Sequence, residues 1–301
     1  MKLSKIFECM GGKVEYKIYN EQEFERLQLV SHTSEQRACI FIDDIKYLKD
    51  IKENVCMILC SPEVAENTVF SSNTGICIIQ KPRLVFFMIH NYLMTTTDYP
   101  RKTIPSKIAA NTTIAETAVI ATNNVTIGEN VIIEDFVVIK EHTSIGDGTV
   151  IRSGSIIGNN GYEFKRDDNR IMPVTHGGRV VIGKNVVIGA NSVIDKAVYP
   201  WDITQIDDET KIDSLVSISH GVKIGKAVMV VAQACILGRS VVDDGAKIGP
   251  GAVIRNAVHI GEKANISMGS VVTQNAPEHS CMTGNFAINH DKFISHIKEL
   301  L

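Results

Sequence analysis

Arg179-Val180-Val181-Ile182-Gly183-Lys184-Asn185-Val186-Val187-Ile188-Gly189-Ala190-Asn191-Ser192-Val193-Ile194 places a large aliphatic residue at every sixth position. The step runs on to Val272. Counting by six from Ile182 meets isoleucine or valine at fifteen of sixteen positions, and only Pro200 breaks the row. Two places before each of these positions the residue is always Ser, Thr, Ala or Val. A helix cannot use this pattern, because six steps of about 100° scatter the row over several faces. A strand can, since residues two apart share one side. Each hexad then supplies one small and one large inward residue. The residue after the large one is often Gly, Asp or Asn, which tolerate turn conformations. A short strand and a turn repeated every six residues build a solenoid of parallel strands.

The same step is visible earlier, at Ile108, Ile114 and Ile120. One extra residue near Asn123-Asn124 shifts it, and it resumes from Ile127 to Ile157. Residues 158–178 then interrupt it as an inserted loop, and loops of that length are often functional. A tolerated excursion from the solenoid is an equal alternative. Val198-Tyr199-Pro200-Trp201-Asp202 is a second irregularity. It carries the only tryptophan, as a ligand platform, a subunit contact or simple packing.

Residues 1–102 lack the hexad. Cys39–Ile42, Val55–Cys60 and Gly75–Ile79 read as strands, and Pro82 opens a helical run to Leu93. This is a small α/β domain ending in the linker Asp98-Tyr99-Pro100-Arg101-Lys102. The solenoid domain is expected over 103–284 and a C-terminal helix over 285–301. In that helix Phe293, Ile294, Ile297, Leu300 and Leu301 share one face.

At 301 residues the chain has room for two domains. A hydrophobic content of 44% supports a large core, and aromatics at 6% suit one filled by Ile and Val. A net charge of −3 argues against non-specific nucleic-acid binding. No apolar run is long enough for a membrane span, and the N-terminus lacks a signal-peptide core. Seven irregularly spaced cysteines read as reduced, with Cys39, Cys56, Cys60 and Cys77 in apolar runs. The expected compartment is cytoplasmic.

The hexad is similar to that of left-handed β-helix proteins, in which three hexads make one triangular coil. Residues 18 apart are then stacked, at about the strand spacing of 4.8 Å. His220, two residues past an inward isoleucine, falls at a corner facing outward, and the residue one coil above it is Gly238. A histidine under a glycine is the layout of a general base beside an open backbone N–H that can hold an oxyanion. Asp213, seven residues before His220, is a carboxylate that could hold the imidazole tautomer.

The run Thr210-Lys211-Ile212-Asp213, then Ile218-Ser219-His220-Gly221-Val222-Lys223-Ile224-Gly225, Val231-Ala232-Gln233 and Ile236-Leu237-Gly238 resembles the UDP-3-O-(3-hydroxyacyl)glucosamine N-acyltransferases of lipid A biosynthesis. Ile188–Ala197 and the glycine–aromatic loop Ile157–Phe164 are also similar to that family. The resemblance covers nearly the whole chain. It implies that His220 is the general base, that Asp213 orients it and that Gly238 N–H holds the oxyanion. The active site would lie between subunits of a homotrimer. The family's Phe-x-x-Asn-x-x-Tyr pattern matches Phe41-Ile42-Asp43-Asp44-Ile45-Lys46-Tyr47, which makes Phe41, Asp44 and Tyr47 substrate-binding candidates for a nucleotide base. Without the resemblance, Phe41 reads as core and Tyr47 as surface.

Four features depart from the family, one of them Ser214 and Ser217 standing where it often has polar amides. Asp44 replaces an Asn, and an ionised Asp only accepts hydrogen bonds. The family's second active-site His falls on Ala257, with His259 two residues on. The tail is shorter than the helical extension the family uses to dock acyl carrier protein.

The reading is an N-acyltransferase. It moves a (3-hydroxy)acyl group from a phosphopantetheine thioester, acyl-CoA or acyl-carrier-protein, to the amine of a nucleotide-linked amino sugar. No bound cofactor or metal is expected. The alternative enzyme uses a short acyl-CoA and a dideoxy amino sugar nucleotide for surface polysaccharide. The alternative outside catalysis is a structural or nucleotide-sugar-binding solenoid.

Overall fold

The computed structural model describes residues 1–12, 14–68, 70–96, 98–284 and 290–300. They form two compact units. The first comprises Met1–Pro100 with Glu163–Thr175, and the second Arg101–Tyr162 with His176–Leu301.

In the second unit the hexad becomes three parallel sheets, of nine, eight and eight strands. Successive strands pass from sheet to sheet, so the chain coils in the manner of a left-handed parallel β-helix. The large positions Ile182, Ile188, Ile194, Ile206, Ile212 and Ile218 are all buried, as are the small residues two places before each. The core is thus a column of alternating isoleucine and small side chains. Ile108 is exposed, and Ile114 and Ile120 are partly buried, their strands pairing only with those of the next coil among the described residues.

The glycine after the large residue has a different reason from the one expected. A Cβ on Gly189 would stand 2.3 Å from the Asp213 carbonyl carbon of the next coil. Gly is needed there for close approach. The left-handed position lies three residues after the large one, at Asn185 (φ 54), Asn191 (φ 55) and Gly221 (φ 70).

The stacking interval also differs at one place. Ser217 pairs with Cys235 and Ile218 with Ile236, one 18-residue coil apart. Ile194, however, pairs with Ile218, so that coil takes 24 residues. The hexad holding Pro200 leaves the ladder altogether. Its Tyr199 and Trp201 rings stack with centroids 5.1 Å apart and an interplanar angle of 2°, and Tyr199 is buried. Proline cannot donate to a ladder, which is why this hexad is the one expelled.

In the first unit, strands Ala38–Ile42, Val55–Cys60 and Gly75–Ile78 are parallel neighbours. Lys17–Tyr19 runs antiparallel at one edge and Arg26–Leu27 parallel at the other. Helix Pro82–Leu93 buries Leu84, Val85, Phe86, Phe87, Ile89 and Leu93. Cys39, Cys56, Cys60 and Cys77 are buried free thiols.

The insertion expected as a loop over 158–178 contains a hairpin, Phe164–Asp167 with Arg170–Pro173. This hairpin belongs to the first unit. Asn91 donates to the Pro173 carbonyl at 2.8 Å and accepts from Thr175 N–H at 2.9 Å. The C-terminal helix is His290–Leu300. Residues 285–289 and the side chains of Phe293, Ile297, Leu300 and Leu301, invoked for its apolar face, lie outside the described residues.

Ile236→Ala should lower unfolding stability by about 2–5 kcal/mol, whereas the outward Lys223→Ala should change it by less than about 0.5 kcal/mol. Denaturant midpoints and slopes distinguish the two. His90 supplies a second test, in the first unit. Its ring is buried against the Thr175 carbonyl at 2.8 Å and the Tyr99 hydroxyl at 3.0 Å. Burial pushes its pKa down to about 4, partly offset by the bond to Thr175. The folded pKa lies below the unfolded one, so the fold prefers the neutral ring. That contribution is complete above about pH 6.5 and is lost as pH falls toward 4. Urea unfolding of wild type should weaken across that window, with a flatter profile for His90→Gln.

Candidate active site

His220 follows strand Ser217–Ile218 at the corner where the chain turns toward Lys223–Ile224. Gly221, in the left-handed region, allows the turn, and its N–H donates to Thr204 Oγ1 at 2.8 Å. His220 is buried. Gly238 lies one coil on, and a Cβ there would stand 2.8 Å from both Cε1 and Nε2 of the imidazole. Any larger residue would displace the ring. Among the described residues the Gly238 N–H donates to no protein acceptor, while its carbonyl accepts from Ala257. Histidine edge and open amide are therefore side by side.

Two further buried groups share this corner. His176 meets His220 edge to face, with ring centroids 5.9 Å apart. Asp195 ends strand Val193–Asp195, one coil before His220. Its Oδ1 accepts from Asn159 Nδ2 at 3.0 Å, and Lys140 Nζ donates to Asn159 Oδ1 at 2.9 Å. Burial raises the Asp195 carboxyl pKa, while the Asn159 hydrogen bond and the charges of His220 and Lys140 pull it back. Gly161 closes over the pair: a Cβ on it would meet Asp195 Oδ2 at 2.9 Å and His176 Nε2 at 3.2 Å.

Asp213 follows strand Lys211–Ile212, which lies in a different sheet from Ser217–Ile218, so it sits at a different corner of its own chain from His220. Its carboxylate is exposed and bound to its own turns, accepting from Ser214 N–H at 2.7 Å and Ala232 N–H at 3.2 Å. Asp195 lies close enough for the charge of His220 to act on its carboxyl. His259 is exposed and pairs with Asp243 at 2.7 Å.

The first unit holds the other candidates. Phe41 is half-buried, its ring 5.0 Å from that of Phe86 and 6.2 Å from that of Phe87. Asp44 caps the 3-10 helix Ile45–Asp50, accepting from Lys46 N–H at 3.0 Å. Its carboxylate also pairs with Lys46 Nζ at 2.6 Å. Hydrogen bonding to Lys46 lowers its pKa, so it stays ionised and can only accept. Tyr47 is partly exposed, with Lys46 Nζ 4.9 Å from its ring centre. A cleft of about 500 Å³ opens where the parallel strands end, at Asp43, Ser61 and Gln80. The start of the helix at Pro82 and the hairpin residues Phe164 and Arg166 complete its walls. Clefts at the carboxyl ends of parallel strands are the usual ligand position in such sheets.

The repeat model described as bacterial transferase hexapeptide (six repeats) matches residues 124–159. A probable UDP-3-O-acylglucosamine N-acyltransferase 2, mitochondrial, of Arabidopsis thaliana is 37% identical over 129 residues, 40% of this chain and 40% of that protein. The UDP-3-O-acylglucosamine N-acyltransferase of Rickettsia prowazekii is 40% identical over 86 residues, 29% of this chain and 24% of that protein. The solved UDP-N-acetylglucosamine acyltransferase of Campylobacter jejuni is 21% identical, covers 64% of this chain and 83% of its own, and has a TM-score of 0.49.

The class these findings define is the hexapeptide-repeat solenoid of transferases. The Arabidopsis and Rickettsia relatives, similar over part of the chain, are both UDP-3-O-acylglucosamine N-acyltransferases by name. The matched stretch spans about two fifths or less of those two relatives' length.

Because burial raises the Asp195 pKa, the fold favours its protonated form. Wild type should therefore lose stability relative to Asp195→Asn as pH rises from below 3.8 through the raised folded value. Paired urea titrations across acid pH would read the difference; parallel profiles would mean that Asp195 is better solvated than its burial implies.

Proposed function

We propose that this chain is an N-acyltransferase of nucleotide-linked amino sugars, acting in lipid A synthesis with a (3-hydroxy)acyl phosphopantetheine thioester as donor. The observation that carries the reading is the buried His220 beneath the open Gly238 N–H, with Asp195 close enough to respond to its charge. In the reaction the sugar amine attacks the thioester carbonyl carbon, and His220 takes the amine proton. The carbonyl oxygen becomes an oxyanion held by Gly238 N–H, an interaction worth about 3 kcal/mol in comparable sites. Collapse of the tetrahedral intermediate breaks the C–S bond, and the imidazolium returns the proton to the leaving thiolate. Asp213 remains the proposed orienting carboxylate across the subunit interface, and Asp195 is a second candidate from within the chain. Phe41, Asp44 and Tyr47 contribute to the nucleotide site of the first unit. The homotrimer, an acyl carrier protein as donor and a cytoplasmic setting belong to the same reading.

Asp44 favours a second reading. A carboxylate held ionised by Lys46 cannot donate to a base carbonyl as an asparagine amide can. That suits the short-chain acyl-CoA enzyme acting on a different amino sugar nucleotide.

Thiol release separates the readings. 3-hydroxyacyl-carrier-protein and acyl-CoA would each be supplied with UDP- and dTDP-linked amino sugars. Release with carrier protein and a UDP-glucosamine derivative is expected, and release only with CoA and another sugar nucleotide would favour the second enzyme. His220→Ala should lower kcat by roughly 10² to 10⁴-fold. Asp213→Asn should cost more activity than Asp195→Asn. Near-normal turnover in His220→Ala would remove the base assignment, and a loss confined to Asp195→Asn would move the orienting role from Asp213 to Asp195. No release with any pair would return the chain to a non-catalytic solenoid.

A further inference from the structure

We propose that the solenoid corner carrying Arg101, His142 and Arg179, flanked by Lys140 and Lys196, is a binding site for a phosphate group of a substrate. The inference rests on the acyltransferase reading for its substrates, since nucleotide sugar and phosphopantetheine both carry phosphate. The corner itself is read from the structure alone.

Register puts these side chains together. His142 precedes strand Thr143–Ile145, and Arg179 opens strand Arg179–Ile182. Thr143 pairs with Val180, so His142 and Arg179 occupy adjacent rungs, joined by Val180 N–H to His142 carbonyl at 3.0 Å. Arg179 in turn pairs with Ile203. The Arg101 guanidinium donates to the Pro200 carbonyl three residues away from that rung. Lys140 and Lys196 both reach Asn159, the first through its side chain and the second through its backbone.

The charge at this corner is unbalanced. Among the described residues none of Arg101, Arg179, Lys140 and Lys196 forms an ion pair with an acid. Of the nearby acids, Asp202 pairs with Arg239 at 3.1 Å, Asp195 accepts from Asn159, and Glu141 acts on His142 and Lys196 without forming an ion pair with any of the four cations among the described residues. Burial and the charge of Arg179 lower the Arg101 pKa. Burial and then Lys196 do the same to His142, with Glu141 opposing. Lys196 is lowered by burial and by Lys140, again with Glu141 opposing. Arg101 Nε and Arg179 Nε are buried, and neither has a hydrogen-bond partner among the described residues. A buried donor left unpaired is costly. Self-repelling guanidinium groups with open Nε–H donors are the arrangement that a phosphate, with several acceptor oxygens and up to two negative charges, completes. The neutral His142 ring can add one more donor.

The source of the phosphate is either the diphosphate of a nucleotide sugar or a phosphate of the phosphopantetheine donor. Direct binding to the full chain separates them without using turnover. UDP, coenzyme A, uridine and inorganic pyrophosphate would be titrated calorimetrically against wild type, Arg101→Gln and Arg179→Gln. Each substitution should weaken one phosphate ligand by about tenfold and leave uridine unchanged. Loss confined to UDP assigns the nucleotide diphosphate; loss confined to coenzyme A assigns the donor. Unchanged affinity for UDP, coenzyme A and pyrophosphate would overturn the proposal. So would a change in oligomeric mass without any change in affinity, which would make the corner an interface between copies. If either glutamine variant melts early, Arg179→Lys and Lys196→Gln carry the test. A tenfold binding loss in a chain that releases no thiol would sustain the phosphate site while removing the acyltransferase reading.

Discussion

Parallel strand pairing at a single spacing governs the second unit. Each two-residue strand is too short to be stable alone, and it holds only because the strands on either side complete its ladder. That forces every coil to present its inward residues beneath those of the next. Ile212, Val230 and Ile248 therefore form one column, and Ile218, Ile236 and Ile254 another. A large side chain at both inward positions of a hexad would overfill the prism, and a small one at both would leave voids that cost stability. The hexad is the sequence form of this packing constraint.

The constraint explains what could be read from residues alone. An inward row buried over nearly all its length leaves a period that survives any change in the outward residues. The pairing of His220 with Gly238 was legible for the same reason, because an unbroken 18-residue coil separates them. Asp195 was not. The coil between it and His220 carries the extra hexad with Pro200, so an 18-residue count back from His220 reaches Asp202 instead. Asp202 is committed to Arg239 and to Ile203 N–H. The signal that could have found Asp195 was Pro200 itself. A proline in a ladder position marks a hexad that must be looped out, and removing it from the count brings Ile194 under Ile218 and so Asp195 under Ser219, next to the His220 corner.

His176 was hidden differently. It lies at the end of an insertion with no period, and nothing in the spacing says which coil it rejoins. The hairpin within that insertion has the same character. Its strands pair locally, and its allegiance to the helix Pro82–Leu93 depends on Asn91 and Lys81, the latter reaching Asp167 at 2.8 Å and Asp168 at 2.9 Å. Such contacts depend on tertiary placement and leave no repeat to read. Asp44 was the opposite case. Its departure from the expected asparagine was plain in the sequence, but its engagement with Lys46 could only be seen once the 3-10 turn was formed.

The departures from the period are themselves ordered. The extra residue at Asn123-Asn124, the insertion after Asn159 and the expelled hexad after Asp195 each follow a strand of one eight-stranded sheet, as does the regular turn bearing His220. Each precedes a strand of the other. All four fall at one corner of the prism. A regular corner is a short turn whose polar groups are satisfied by the coils above and below it, so it has little room for chemistry. Lengthening the turns of successive coils at the same corner builds a wall beside it while the isoleucine columns continue undisturbed. Here that wall brings Asp195 and His176 to His220. Immediately before them in the stack it gathers Arg101, Arg179, Lys140 and Lys196. A histidine with a buried carboxylate and a patch of unpaired cations would each be destabilising in a compact core. The solenoid tolerates both because its stability accumulates along the other two corners and the inward isoleucine columns of the three sheets, which carry no part of the site.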